Sequence, residues 1–380
     1  MHQPTILRRL GSISTRRFMR EYWQRKPCLI QGAIPNWAAP IDRARLFELA
    51  RDPYVESRLI TSFDAQWNVA HGPLSRMPSL RRSHWTLLVQ GVDLHDDAAR
   101  DFLSRFRFVA DARLDDLMVS YATDGGGVGP HVDSYDVFLL QASGRRRWRI
   151  SDKQASRVRP GALLNTVESF SATDEWVLDA GDMLYLPPGI AHEGVALGAC
   201  ISYSIGFRAP EYQQLLDPWF AEFAEHALLR GRYRDPGITP ARRPALLPAV
   251  MTRDVHAKLS QYQPQRADTE RFLLRYLSEP KSTTVFDAPT SAPSRARFRR
   301  AATLRGLTLD RRTRIIHSAR ALGINGEWID SATAPIAALA KFADRRELSS
   351  AMAASLPASA WKVLYQWYRA GWIAMARRSP

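Results

Sequence analysis

Cysteine is nearly absent from this 380-residue chain: Cys28 and Cys200 are the two it has. That excludes a disulfide framework. Neither belongs to a CxxC pair, so a reducing cytosol suits the protein. Long apolar runs are missing too, and nothing approaches the ~20 residues needed to cross a bilayer. No internal repeat or low-complexity tract is visible. Acidic residues are in short supply, with 38 Asp+Glu against 53 Lys+Arg and a net charge of +15. The shortage is uneven. Residues 1–208 hold 26 basic and 23 acidic side chains, whereas residues 209–380 hold 27 and 15. Such an excess marks contact with nucleic acid or a ribonucleoprotein, or else a mere surface preference for arginine. The first twenty residues carry five arginines and no acid, as a transit peptide does. They run unbroken into RRFMREYWQRKPCLIQGAIPNW (16–37), which reads as a helix followed by a strand and so as the start of a folded domain.

What is present is enough for two or three domains with sizeable cores, since 45% of the residues are hydrophobic. Residues 1–110 mix short elements. A helix is expected over 43–51 and strands over 58–60 and 67–70, with WTLLVQGV (85–92) a strand or the start of a buried helix. Residues 117–208 read as successive strands, LMVSYA, DVFLLQAS, RRWRIS, EWVLDA, DMLYLPP and ISYSIGF, separated by turn residues. That pattern suits a β-barrel or sandwich. After FRAP (207–210) the period changes. EYQQLLDPWFAEFAEHALL, DVHAKLSQY and TERFLLRYLS have helical spacing. STTVFDAPTSAPSRA (282–296) carries loop signals. The remainder offers two or three short strands, GEWID among them, and the helices APIAALAKFA and SAWKVLYQWYRAGWI.

The chemistry is concentrated in two segments. GGGVGPHVDSYDVFLL (125–140) sets His131 and Asp133 two residues apart. On a strand such residues share a face, about 6.5–7 Å from each other, so an imidazole nitrogen and a carboxylate oxygen can converge on one ion. AGDMLYLPPGIAHEG (180–194) places His192 just after a Pro-x-Gly turn, 59 residues past Asp133. Two histidines and one carboxylate form the facial triad of non-haem Fe(II) oxygenases, whose opposite positions stay open for cosubstrate and O₂. An isolated HxD arises readily by chance. The Gly-rich approach, the strand context and the second histidine in its own turn give this one its weight.

A third segment, GRRRWRI (144–150), puts Arg146, Trp148 and Ile150 on one face of a strand and Arg145, Arg147 and Arg149 on the other. Arg146 then points inward with the apolar residues. A buried guanidinium needs an anion. Either an internal Asp or Glu supplies it, or a bound carboxylate does, through two parallel hydrogen bonds. The outer arginines read as a solvated face.

These residues are familiar as a set. Through EYWQRKP (21–27), AQWNVAHGPL (65–74), WTLLVQGV (85–92), 115–150, GDMLYLPPGIAHEG (181–194) and YSIGFRAP (203–210), the chain resembles the bacterial ribosomal oxygenases of the JmjC/cupin family, arginine hydroxylases of a large-subunit ribosomal protein. The likeness is close over about 15–210 and looser beyond, where ING (324–326) and the final aromatic helix echo the family's C-terminal domain. It implies an α+β protein: a double-stranded β-helix over 1–208, a helical dimerisation region over 209–281 and a winged-helix-like domain over 282–380. It implies Fe(II) on His131, Asp133 and His192, 2-oxoglutarate and O₂ as cosubstrates, and Arg146 with Ser120 on the distal carboxylate of 2-oxoglutarate. It further implies a cytoplasmic homodimer. Asp124, just before the glycine tract, is suggested as acceptor for the substrate guanidinium, with Asp136 as the competing candidate and a plain turn role as the alternative for Asp124. One feature runs against the family picture: a basic enzyme gains no long-range steering toward a basic ribosomal protein.

Two other readings stay open at this level. One is a related hydroxylase acting on His, Asn or Lys. The other is a metal-binding cupin regulator without turnover, whose C-terminal domain binds DNA. The inward Arg146 argues against the second, because a regulator needs no cosubstrate clamp, and a winged-helix likeness alone is weak ground for DNA binding.

Overall fold

A computed structural model describes residues 5–63, 66–151, 166–167, 169–227, 230–240 and 243–376. Residues 1–4 of the arginine-rich start and 228–229 of the expected helix after FRAP lie outside them. The chain opens with a small hairpin, β1 (Arg9–Leu10) and β2 (Ile13–Ser14), and then α1 (Thr15–Glu21), capped by the Ser14 side chain accepting from the Arg17 N–H. Leu7, Leu10 and Phe18 are buried in the main core, so this stretch belongs to the domain. β3 (Cys28–Ile30), α2 (Arg43–Leu49), β4 (Ser57–Phe63), β5 (Gln66–His71), β6 (Trp85–Val89) and α3 (Asp97–Ser104) follow. Of WTLLVQGV, residues 85–89 form a strand, and Val92 already opens a short 3-10 turn.

The strand-rich segment supplies β7 (Leu114–Ala122), β8 (His131–Val132), β9 (Asp136–Ser151), β10 (Asp174–Leu178), β11 (Met183–Leu186) and β12 (Ala191–Phe207). They join one ten-stranded sheet in the order β3-β11-β9-β12-β7-β6-β4-β5, with β10 on β9 and β8 on β12. The pairings are antiparallel. One expectation is corrected. DVFLLQAS and RRWRIS are not two strands but halves of β9, which runs against β12 along its length. The register shifts between Leu197 and Ile201, opposite Gly144. A side chain at 144 would stand 2.3 Å from the Ala199 carbonyl, and the backbone there has φ +66°, so the strand continues only because glycine occupies the crossing.

Beyond the sheet come α4 (Tyr212–His226), α5 (Ala249–Leu259), α6 (Arg266–Ser278) and α7 (Arg295–Arg305). Then follow β13 (Leu307–Leu309), β14 (Ile315–His317), β15 (Ala321–Ile324), β16 (Glu327–Asp330), α8 (Ile336–Arg345), β17 (Glu347–Leu348), α9 (Ser350–Ala354), α10 (Ala360–Arg369) and β18 (Ile373–Met375). The last part is richer in strands than the two or three expected: two sheets, β17-β13-β18 and β14-β15-β16, share a separate core with α7, α8 and α10. α6 packs on β15 closely enough that a side chain at Gly323 would stand 1.9 Å from the Leu274 carbonyl. α6 therefore packs with the C-terminal unit, although the boundary expected at 281 separates them. Among the described residues no helix is long and apolar enough to cross a membrane.

Charge joins the two units. Arg311 reaches Asp97 at 2.7 Å, Arg314 reaches Asp115 at 2.9 Å and Lys281 reaches Asp116 at 2.6 Å. Burial works to raise the Asp115 carboxyl, but Lys281, Arg314 and Arg208 hold it below the usual carboxylate range. Part of the basic excess after residue 208 is thus spent inside the molecule.

Candidate active site

His131 and His192 are register partners across β8 and β12, and their rings lie 4.2 Å apart between centroids. β8 ends one residue before Asp133, which sits in the turn leading to β9. Its backbone is pinned there by the Gly189 N–H donating to the Asp133 carbonyl at 2.9 Å. The Pro-x-Gly turn therefore does two things: it aims His192 and it ties down the carboxylate ligand's loop. The His131, Asp133 and His192 ligand atoms all lie within 4.8 Å of one another, with His192 Nε2 3.7 Å from Asp133 Oδ2.

The histidines are prepared for a metal. Nδ1 of His131 faces the Gly129 carbonyl at 3.0 Å, and Nδ1 of His192 faces the Ile190 carbonyl at 3.0 Å. A carbonyl accepts only, so each Nδ1 carries the proton and each Nε2 keeps its lone pair for an ion. His192 is 2% exposed. Burial, and then His131 beside it, pushes its imidazole down to about 4, so it stays neutral and able to coordinate. The donor set of two imidazoles and a carboxylate fits Fe(II), with one face left for other ligands.

Arg146 points inward as the strand parity requires, 5% exposed, with Trp148 and Ile150 buried beside it and Arg145 exposed. Among the described residues no carboxylate pairs with it. Its Nη1 donates to the Ser120 hydroxyl at 3.4 Å, and its Nε has no partner. The internal ion pair weighed from the sequence is therefore not made by any described residue. A buried guanidinium with unused donors is a seat for an anion. Trp148 lies 5.5 Å from that guanidinium and 5.9 Å from the His192 ring, joining the two halves of the site under one apolar cover.

Asp124 is exposed, and its Oδ1 accepts from the Gly198 N–H at 2.8 Å. Asp136, the competing candidate, is 0% exposed. It accepts from Tyr185 at 2.6 Å, and from Gln24 and Arg113 at 2.9 Å each, so it holds the base of β9. The glycine tract serves close packing. A side chain at Gly127 would stand 2.6 Å from the Gly194 carbonyl of β12.

Three residues of the site were not singled out from the sequence. Ser202 lies in register between Ser120 and Gln141, and its hydroxyl donates to Gln141 Oε1 at 2.8 Å, forming a buried polar row. Their signal was faint: single polar residues inside strands that otherwise read as apolar. Tyr135 stands in the same turn as Asp133, 40% exposed, and the desolvation of its partly enclosed phenol followed by the Asp133 carboxylate raises it above the usual range. It lines a cavity of about 390 Å³ together with Ser134, Asp115 and Arg208.

Known proteins are similar to this chain in sequence and in fold. A family model described as JmjC domain matches residues 101–215, and one described as ROXA-like winged helix matches residues 257–374. The chain is 40% identical to ribosomal protein uL16 3-hydroxylase of Escherichia coli over 237 residues, 62% of this chain and 63% of that protein. It is 35% identical to a probable ribosomal oxygenase of Haemophilus influenzae over 206 residues, 53% of this chain and 51% of that protein. These alignments thus span less than two thirds of the curated relatives' lengths. In structure the likeness is nearly complete. E. coli ycfD superposes with a TM-score of 0.84 at 30% identity, covering 96% of this chain and 98% of that one. E. coli YcfD in complex with cobalt and 2-oxoglutarate superposes at 0.81 and 29% identity, covering 96% and 99%.

Proposed function

We propose, from the premise that this chain belongs to the JmjC-type ribosomal oxygenases, that it is an Fe(II)- and 2-oxoglutarate-dependent hydroxylase of an arginine side chain in a large-subunit ribosomal protein. The observation that carries the cosubstrate reading is the buried Arg146 guanidinium, without a carboxylate among the described residues and beside the triad. His131, Asp133 and His192 would hold Fe(II) by one face. Arg146 and Ser120 would bind the distal carboxylate of 2-oxoglutarate. A solved relative contains cobalt and 2-oxoglutarate, which supports both assignments. When bound, iron and 2-oxoglutarate supply the oxidant that places one oxygen atom of O₂ in a substrate C–H bond, with succinate and CO₂ as the other products.

The chain's own part is orientation and exclusion of water. The carbonyls of Gly129 and Ile190 fix the two imidazole rings. Burial keeps His192 unprotonated. Trp148 keeps solvent from both Arg146 and His192, which strengthens every charge interaction in the pocket.

The ribosomal-protein substrate is supported by the E. coli relative, which acts on uL16. For the arginine, Asp124 is the proposed acceptor. One of its oxygens is engaged by Gly198, and a carboxylate has lone pairs for further donors. A homodimer through residues 211–278 is supported by α4 and α5, which bury none of their side chains and leave Leu216, Phe220 and Leu259 exposed. A cytoplasmic location accords with a ribosomal substrate. The test is intact-mass analysis of ribosomal proteins from cells with and without the gene. One large-subunit protein should lose the mass of a single oxygen atom, and fragmentation should place it on an arginine. Placement on a histidine would favour the histidyl-hydroxylase relatives instead.

A further inference from the structure

We propose that the arginine face of α7 in the C-terminal domain is a docking surface for RNA. Residues 295–376 hold fourteen Lys and Arg against five Asp and Glu. Several of those cations are occupied. Arg311 and Arg314 bridge to Asp97 and Asp115, Arg312 pairs with Asp287 and Asp310, and Arg346 donates to the carbonyls of Asp310 and Thr313. α7 differs. Its sequence RARFRRAATLR carries five arginines and no acid. Arg295, Arg297, Arg299 and Arg300 are exposed, and among the described residues none of them has an ion-pair partner.

The placement is unfavourable for the helix by itself. Arg295 and Arg299 are four apart and Arg297 and Arg300 three apart, so each pair meets on the surface and repels. Arg295 and Arg297 also stand in the first turn, at the positive end of the helix dipole, with no acid there to offset them. Phe298 and Ala302 are buried and hold α7 to the core; Arg297 and Arg300 lie on the side away from them, Arg295 and Arg299 flank them, and all four are exposed. The Arg299 guanidinium lies over the Trp361 ring at 5.6 Å, which steadies one planar donor fork, and Lys362 beside it is exposed. An external polyanion removes the repulsion, and arginine forks match phosphate oxygens in pairs. A membrane surface fits less well. Leu304 is the one exposed large apolar residue on the helix, so α7 has no face to insert.

The phosphate chemistry stands independently of the functional reading above; the choice of RNA among polyanions rests on that reading, because a ribosomal substrate is surrounded by RNA. Contact with RNA would also supply the long-range attraction that a basic enzyme lacks toward a basic ribosomal protein.

The test uses the full chain and a short labelled single-stranded RNA of mixed sequence, titrated across salt. Four phosphate contacts give a log–log slope near −3, or ~50-fold weaker binding at 200 mM than at 50 mM salt. Replacing Arg295, Arg297, Arg299 and Arg300 together by Ser should remove most of that slope and weaken binding at low salt at least ~10-fold, while Lys at the same positions should retain the slope. Replacing four exposed arginines elsewhere, Arg230, Arg232, Arg234 and Arg243, changes net charge equally and should move affinity by less than ~3-fold. Equal losses in the two Ser variants would mean bulk charge alone and overturn the proposal. So would an undiminished slope in the α7 variant, tighter binding to duplex DNA than to RNA, or attachment to phosphatidylserine vesicles without RNA binding. Hydroxylation of a free ribosomal peptide is measured alongside. Intact hydroxylation with no RNA binding removes the docking surface alone, whereas α7-dependent RNA binding without hydroxylation removes the functional reading and leaves the surface.

Discussion

The Arg146 guanidinium meets the Ser120 hydroxyl at 3.4 Å across β12, from strands that flank it on either side, and no described carboxylate completes the pair. A charge so buried is uncompensated until an anion arrives. The seat proposed for the cosubstrate carboxylate is thus built on strands of the sheet, β7 and β9.

Replacing Arg146 by Ala should raise the 2-oxoglutarate KM by about 10–150-fold, the range for a charge-assisted contact of ~1.5–3 kcal/mol. Iron content should stay near normal, because Arg146 is not one of the three residues of the triad. Arg145→Ala, on the exposed face, should change KM little. Steady-state kinetics with metal analysis on both variants checks this, and equal effects would defeat the parity argument.

His131→Ala and Asp133→Ala should each purify with little or no iron after loading under anaerobic conditions. Two remaining ligands cannot define a face of the coordination sphere. Undiminished metal by elemental analysis in either variant would remove the assignment.

The His192 imidazole has a native pKa of about 4 against 6.5 when free. Between these values the unfolded chain binds a proton that the folded chain refuses, so stability falls as pH falls. The metal-free protein should therefore lose stability from about pH 6.5 down to about 4, by at most ~3 kcal/mol from this group. Above 6.5 His192 should contribute no slope. Thermal melts of the metal-free protein at stepped pH check this, with His192→Asn expected to flatten the curve in that window.

α4 leaves Phe220 52% exposed. If α4 and α5 bury this surface against a second copy, light scattering at micromolar concentration should give twice the chain mass, and Phe220→Asp should shift it toward the monomer. A monomer mass for the unaltered protein would reject the dimer.

Asp124→Asn should weaken binding of the candidate ribosomal peptide while peptide-independent 2-oxoglutarate turnover persists. Changing the target arginine of the peptide to lysine should also make it a poor substrate, since lysine offers no planar fork. Unchanged hydroxylation in the variant would leave Asp124 with its turn contact to Gly198 and nothing more.

Local rules were enough for part of this protein. The inward side of GRRRWRI follows from the period of a strand, and Arg146, Trp148 and Ile150 are buried accordingly. The HxD spacing and the Pro-x-Gly turn before His192 name a ligand set because each is a short-range geometry, and the structure brings all three residues together. Matters that depend on distant partners were not legible. β9 is one strand because a shift in β12, more than fifty residues on, accommodates the Gly144 crossing, and no local signal distinguishes that from a turn. Asp136 looked as available as Asp124 until Tyr185, Gln24 and Arg113 were seen to enclose it. The same holds for charge. The sequence alone gives a basic C-terminal half. Only the tertiary structure separates the arginines spent on Asp97 and Asp115 from those of α7 that face outward, because an ion pair is decided by which chains meet in space.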